Sequence, residues 1–201
     1  MLLLPLIVLV AACEQSTMPT ISEDVAFRTD HQADFSAGFD LESVNINSEV
    51  AAQLSEVRRL TAPFHNYQRA ERAGWFASLS PCVAYPELGG MGYHIGNPEY
   101  LQNGILDPLK PEVLLYEPQK NGRMRLVGVE YIVPFIPPAE PEGQPDPGDQ
   151  PSLFGQDFVS SPHVGPFGSW TLHVWLWRHN PAGMFADYNP NVSCEYSSPE
   201  E

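Results

Sequence analysis

Between Pro134 and Pro151 the chain places seven prolines, two glycines and four acidic residues. Proline fixes φ and has no backbone N–H, so such a run neither continues a helix nor pairs inside a sheet. The strongest strand patterns of the chain stand on either side of it. Arg123–Phe135 reads RMRLVGVEYIVPF, and Ser169–Arg178 reads SWTLHVWLWR. Whatever this chain folds into must therefore carry two strong strands across a long polar interruption. Loop closure costs grow only slowly with length, so a domain tolerates it. The stretch 134–151 reads as a disordered, solvated insertion. The competing reading is a partner-binding proline motif. The stretch lacks the basic residues and aromatic-flanked repeats of such a motif.

Around the insertion the pattern is α+β. Val50, Leu54, Val57, Leu60 or Thr61, and Phe64 follow the three-and-four spacing of one helical stripe. Asn47 or Ser48 caps its start, Pro63 interrupts it near Thr61, and Gly74 suits a C-terminal cap. This predicts two helices, or one kinked helix, over residues 48–73. A loop with Pro81, Cys82, Pro86 and Gly89-Gly90 follows, then a short strand from Met91 to Ile95. Residues 96–108 read as turns. Glu112–Glu117 (EVLLYE) and the Arg123 strand flank Pro118-Gln119-Lys120-Asn121-Gly122, which is hairpin chemistry. In the last strand, alternation puts Thr171, His173, Trp175 and Trp177 on one face. The sum is one α+β domain over 47–196, with N-terminal helices packed on an antiparallel sheet of four to six strands and a short tail at 197–201.

The N-terminus carries an address. Residues 1–12, MLLLPLIVLVAA, are apolar and uncharged, and well short of the roughly 20 residues that span a bilayer. They have the length of a signal-peptide core. Val10-Ala11-Ala12-Cys13 resembles a bacterial lipobox, which implies lipidation of Cys13. Glu14 then follows the lipidated residue, which for this class implies the outer membrane, facing the periplasm. Secretion without a lipid is the alternative. Residues 13–46 are acidic with one basic residue, Arg28, and read as a flexible tether. The full 201 residues hold 25 acids and 10 bases, a net charge of -15. That balance excludes nucleic acid as a partner, because nothing would neutralise its phosphates. With Cys13 lipidated, Cys82 and Cys194 remain. In an oxidising compartment they pair as a disulfide. The alternative, a two-thiolate metal site, lacks the usual CxxC spacing.

The chemistry-bearing candidates are scattered. His94 and His173 sit inside strand patterns, and two strands can offer two imidazoles to one ion. Glu130 lies mid-strand, with Leu126, Gly128 and Ile132 on its own face. A carboxylate inside a sheet is costly unless paired or metal-bound. Two histidines and one carboxylate suit a divalent transition metal, iron among them. They also serve a structural hydrogen-bond network, and Glu130 on a solvated face is a further alternative. Tyr93, Tyr131, Trp175 and His179 are candidates to line a ligand pocket, or simply core. No GxSxG, phosphate-binding loop or HExxH is present.

Six segments are similar to a family of uncharacterised exported bacterial proteins and lipoproteins. They are Ala70–Trp75 (AERAGW), Gly90–His94 (GMGYH), Pro111–Glu117 (PEVLLYE), Leu126–Tyr131 (LVGVEY), Leu172–Trp177 (LHVWLW) and Asn180–Phe185 (NPAGMF). The resemblance spans roughly residues 57–194. It implies a shared fold and site and names no reaction. The expectation is a lipid-anchored envelope protein that binds a metal ion or small ligand through strand histidines. A small, cupin-like metal-dependent enzyme and an assembly protein with no site are the alternatives.

Overall fold

The structure is a computed structural model that describes residues 47–140 and 142–198. The expected signal peptide, Cys13 and the tether lie outside the described residues.

The helical stripe forms as its spacing dictates. Helix α1 runs over Ser48–Thr61, and the Asn47 side chain accepts from the Val50 N–H at 2.9 Å. Leu54, Val57 and Thr61 are its buried positions. At Pro63 the helix tightens into a 3-10 turn over Ala62–His65, and α2 (Tyr67–Arg72) resumes behind an Asn66 cap. Gly74 follows α2 at φ +108°, a left-handed conformation that a side chain resists.

Eight strands follow among the described residues: β1 (Ala77–Tyr85), β2 (Gly89–Gly96), β3 (Val113–Pro118), β4 (Met124–Pro134), β5 (Ser152–Leu153), β6 (Gln156–Asp157), β7 (Val159–Ser161) and β8 (Ser169–Val174). Six make one curled antiparallel sheet in the order β1-β2-β3-β4-β8-β7, and β5 pairs β6 separately. A short helix α3 (Pro98–Gln102), capped by Asn97, fills the expected turn region.

The structure corrects two local expectations. The loop assigned to Pro81 and Cys82 is strand β1. It is an edge strand with register breaks between Ser78 and Ala84, and an irregular edge is where a sheet tolerates proline. The last strand ends at Val174, short of Arg178. There the Trp175 N–H leaves the ladder for Met184 O, and those of Trp177 and Arg178 both turn to Val127 O. Trp177 therefore parts from Trp175 and packs towards the helices. Its indole N–H donates to Thr61 Oγ1 at 3.2 Å, and its ring meets His65 edge-on. The proline-rich stretch starts inside β4, where Pro134 faces Ser169. Further on, Ile136 and Asp146 exchange backbone hydrogen bonds, and Pro147 O accepts from the Trp170 indole.

The sheet has two differently covered faces. Ile95, Leu114, Tyr116, Val129, Leu172 and Val174 pack with Leu54 and Val57 of α1. Val113, Leu115, Val127 and Ile132 pack instead with Trp175 and Val192, from the C-terminal coil. That coil is held to the first hairpin in two ways. Gly90 and Asn189 exchange backbone hydrogen bonds of 3.1 and 3.0 Å, and Cys82 and Cys194 form the expected disulfide, with 5.8 Å between Cα atoms. No described helix is long and apolar enough to cross a membrane.

Candidate metal centre

Sheet register brings the two histidines and the glutamate together. Gly96, Val113, Glu130 and His173 are successive cross-strand partners on β2, β3, β4 and β8, so they share a face. His94, two residues before Gly96, points to that face and pairs with Leu115 and then Gly128. Gly128 lies close against Val174, Leu115 and Trp175. A Cβ there would stand 2.8 Å from Val174 O and 3.3 Å from both Leu115 and Trp175.

The three side chains converge. His94 Nε2 is 3.7 Å from Glu130 Oε2, His173 Nε2 is 3.7 Å from Glu130 Oε1, and the two Nε2 atoms are 3.5 Å apart. Among the described residues this is a group of three buried metal-ligating side chains with one donor atom each within 4.8 Å of the others. Exposure is 8% for His94, 2% for Glu130 and 3% for His173. The separations are too long for good hydrogen bonds. They suit ligands of a common ion: atoms about 2.1 Å from a tetrahedral centre stand about 3.4 Å apart. Cis ligands of an octahedral centre at that distance stand closer, about 3.0 Å. Two buried polar atoms have no hydrogen-bond partner among the described residues, Glu130 Oε2 and His173 Nδ1. Native interiors rarely leave such atoms unpaired without a reason.

The far side of each ring has its own neighbour. Ser80 Oγ, on β1, donates to Pro81 O at 2.9 Å and lies 2.9 Å from His94 Nδ1. With the hydroxyl proton on that carbonyl, Oγ is left to accept from Nδ1–H, the tautomer that turns the Nε2 lone pair to Glu130. His173 Nδ1 faces Asp187 Oδ1, on the C-terminal coil, at 3.7 Å. Trp175 lies nearly parallel to the His173 ring, tilted by 13°.

Electrostatics follow from burial and mutual contact. Burial, reinforced by His173, lowers His94 to about 3, so its ring is neutral and ligand-competent near pH 7. Burial pulls His173 down, but Glu130 and Asp187 outweigh it and the net shift is upward. Burial raises Glu130, partly opposed by His173. Glu130 and His173 thus hold protons more tightly than usual, in a place where a dication would supply the missing positive charge.

The proposed pocket residues separate. Trp175 belongs to this face, and its indole N–H donates to Ala186 O at 2.6 Å. Tyr131 lies on the helical face with its hydroxyl donating to Pro108 O, and Tyr93 packs against that same core. His179 is exposed. A surface groove of about 360 Å³, bounded by His65, Tyr67, Arg123 and Met124, shares no residue with the cluster. Sequence reasoning did not reach Ser80 and Asp187. Ser80 lies in an irregular edge strand and Asp187 in coil, where no periodicity marks a direction.

No protein-family model matches the chain, and neither does any curated protein or solved structure.

Proposed function

We propose that the domain binds a divalent transition metal through His94 Nε2, Glu130 and His173 Nε2. The observation that carries this is the convergence of three buried donors at 3.5–3.7 Å, with a carboxylate oxygen left unpartnered between the rings. The donor set is common to zinc and non-haem iron sites, and the spacing, nearer the tetrahedral than the octahedral value, leans towards zinc. We further propose that Cys13 is lipidated and holds the domain at the bacterial envelope, as the lipobox resemblance implies. A second reading shares the site. Three protein ligands leave a tetrahedral ion one open position, the arrangement of catalytic zinc, and this favours a small metal-dependent enzyme.

The test is elemental analysis of the full chain, exported to an oxidising compartment and purified without tag or chelator. Wild type is compared with a His94→Ala, His173→Ala double variant. One equivalent of metal in wild type and none in a folded variant is the expected result. No metal in either sinks the proposal. The anchor is tested separately: Cys13→Ser should abolish labelled-palmitate incorporation and move the protein to the soluble fraction.

A further inference from the structure

We infer that Ser80 and Asp187 are positioning residues that fix which nitrogen of each histidine faces the ion. This rests on the metal reading above and assigns roles to two residues outside the ligand set. An imidazole binds metal through whichever nitrogen lacks the proton, and the partner of the other nitrogen decides which that is. Ser80 settles it for His94, because the Pro81 carbonyl consumes the hydroxyl proton and leaves Oγ as an acceptor. For His173 the corresponding neighbour is Asp187, whose Oδ1 stands 3.7 Å from the unpartnered Nδ1: once an ion occupies Nε2, the proton is left on Nδ1 and Asp187 is the carboxylate that faces it.

The two residues come from opposite ends of the domain, and the fold brings them in by design of its cover. Ser80 precedes Cys82 by two residues, and Asp187 precedes Cys194 by seven. The disulfide joins these two segments, and the Gly90–Asn189 hydrogen bonds lie two residues from Asp187. Asp187 has a side chain 40% exposed, so its position depends on how the coil is held more than on burial. The same clasp therefore holds both outer partners beside their rings.

The test combines zinc titration with long-range ¹⁵N–¹H NMR of ¹⁵N-histidine protein, which reads the protonated nitrogen of each ring. It uses the full chain at pH 8, metal-free and zinc-loaded. Wild type should carry the proton on Nδ1 of both rings. Asp187→Ala should shift His173 alone towards the Nε2–H form, and Ser80→Ala should shift His94 alone. Each should weaken zinc binding about 10- to 100-fold. Asp187→Asn keeps an acceptor oxygen and should recover part of the loss, which separates positioning from a folding defect. Unchanged tautomers and unchanged affinity in a zinc-binding protein would overturn the inference and leave the metal site standing. Failure of wild type to bind zinc would overturn the metal reading itself, and the positioning roles with it.

Discussion

Replacing Glu130 with glutamine should reverse its effect on stability when zinc is added. Glu130 is 2% exposed, and its Oε2 atom has no hydrogen-bond partner. A buried polar atom left unsatisfied costs about 1 to 3 kcal/mol. Glutamine has nearly the same shape, is neutral, and can donate to an imidazole lone pair. Metal-free Glu130→Gln should therefore be more stable than metal-free wild type by about 2 kcal/mol, or about 4 to 8 °C in melting temperature for a domain of this size. With zinc at 100 times its dissociation constant, wild type should gain about 2.7 kcal/mol, about 5 to 11 °C. The variant, short of a charged ligand, should gain almost nothing. The order of the two melting curves then inverts on adding zinc, which differential scanning calorimetry on chelator-treated protein would register. A structural ion pair predicts the opposite sign. Removing one partner of a buried pair destabilises by about 3 to 5 kcal/mol, and zinc would then shift neither protein. That outcome would refute the reasoning.

Three further outcomes are expected. Burial raises Glu112 to about 7, while its carboxylate accepts from the Ile132 N–H at 3.2 Å. Its folded form holds a proton that the unfolded chain releases, so this contribution to stability is full below pH 4.5 and lost as pH rises through 7. Glu112→Gln should be more stable than wild type by about 3 kcal/mol at pH 8, with the gap closing towards pH 4.5 in urea titrations. Replacing Cys82 and Cys194 with serine opens a loop with a sequence separation of 112 and should cost about 4 to 5 kcal/mol, read as a lower urea midpoint. Gly92→Ala should destabilise severely, because Gly92 sits at φ +86° with Tyr116 O where a Cβ would go. Soluble yield and circular dichroism would report it.

The helices were legible because burial follows the period: Leu54, Val57 and Thr61 are buried, spaced three and four apart. The β3–β4 hairpin was legible because its turn has its own chemistry. The N–H of Gly122, at φ +73°, donates to Gln119 O. Glu130 stood out as a charge within an apolar strand. Sequence alone could not show that β8 lies beside β4, because period two reports a face and not a neighbour. It overran the end of β8, since Trp175, Leu176 and Trp177 remain apolar after the ladder has ended. Buried carbonyls outside the sheet, such as Met184 O, decide that ending. It lost β1 because proline and serine usually mark loops, whereas here a bulged edge absorbs them.

The strand order also sets a timetable. Strands β1 to β4 are each next to their sequence neighbour, so they can close as successive local hairpins. That meander already seats His94 and Glu130. His173 arrives only when β8 has crossed the whole proline-rich stretch, and Asp187 only when the last coil follows it. On the proposed export route, a chain folding as it emerges would seat two ligands outside while the third is still inside the translocation pore. It would carry no tightly held ion out of the cytosol. On the metal and export proposals together, the ion would be drawn from the compartment in which Cys82 meets Cys194, so metal content would report the supply there rather than at the place of synthesis.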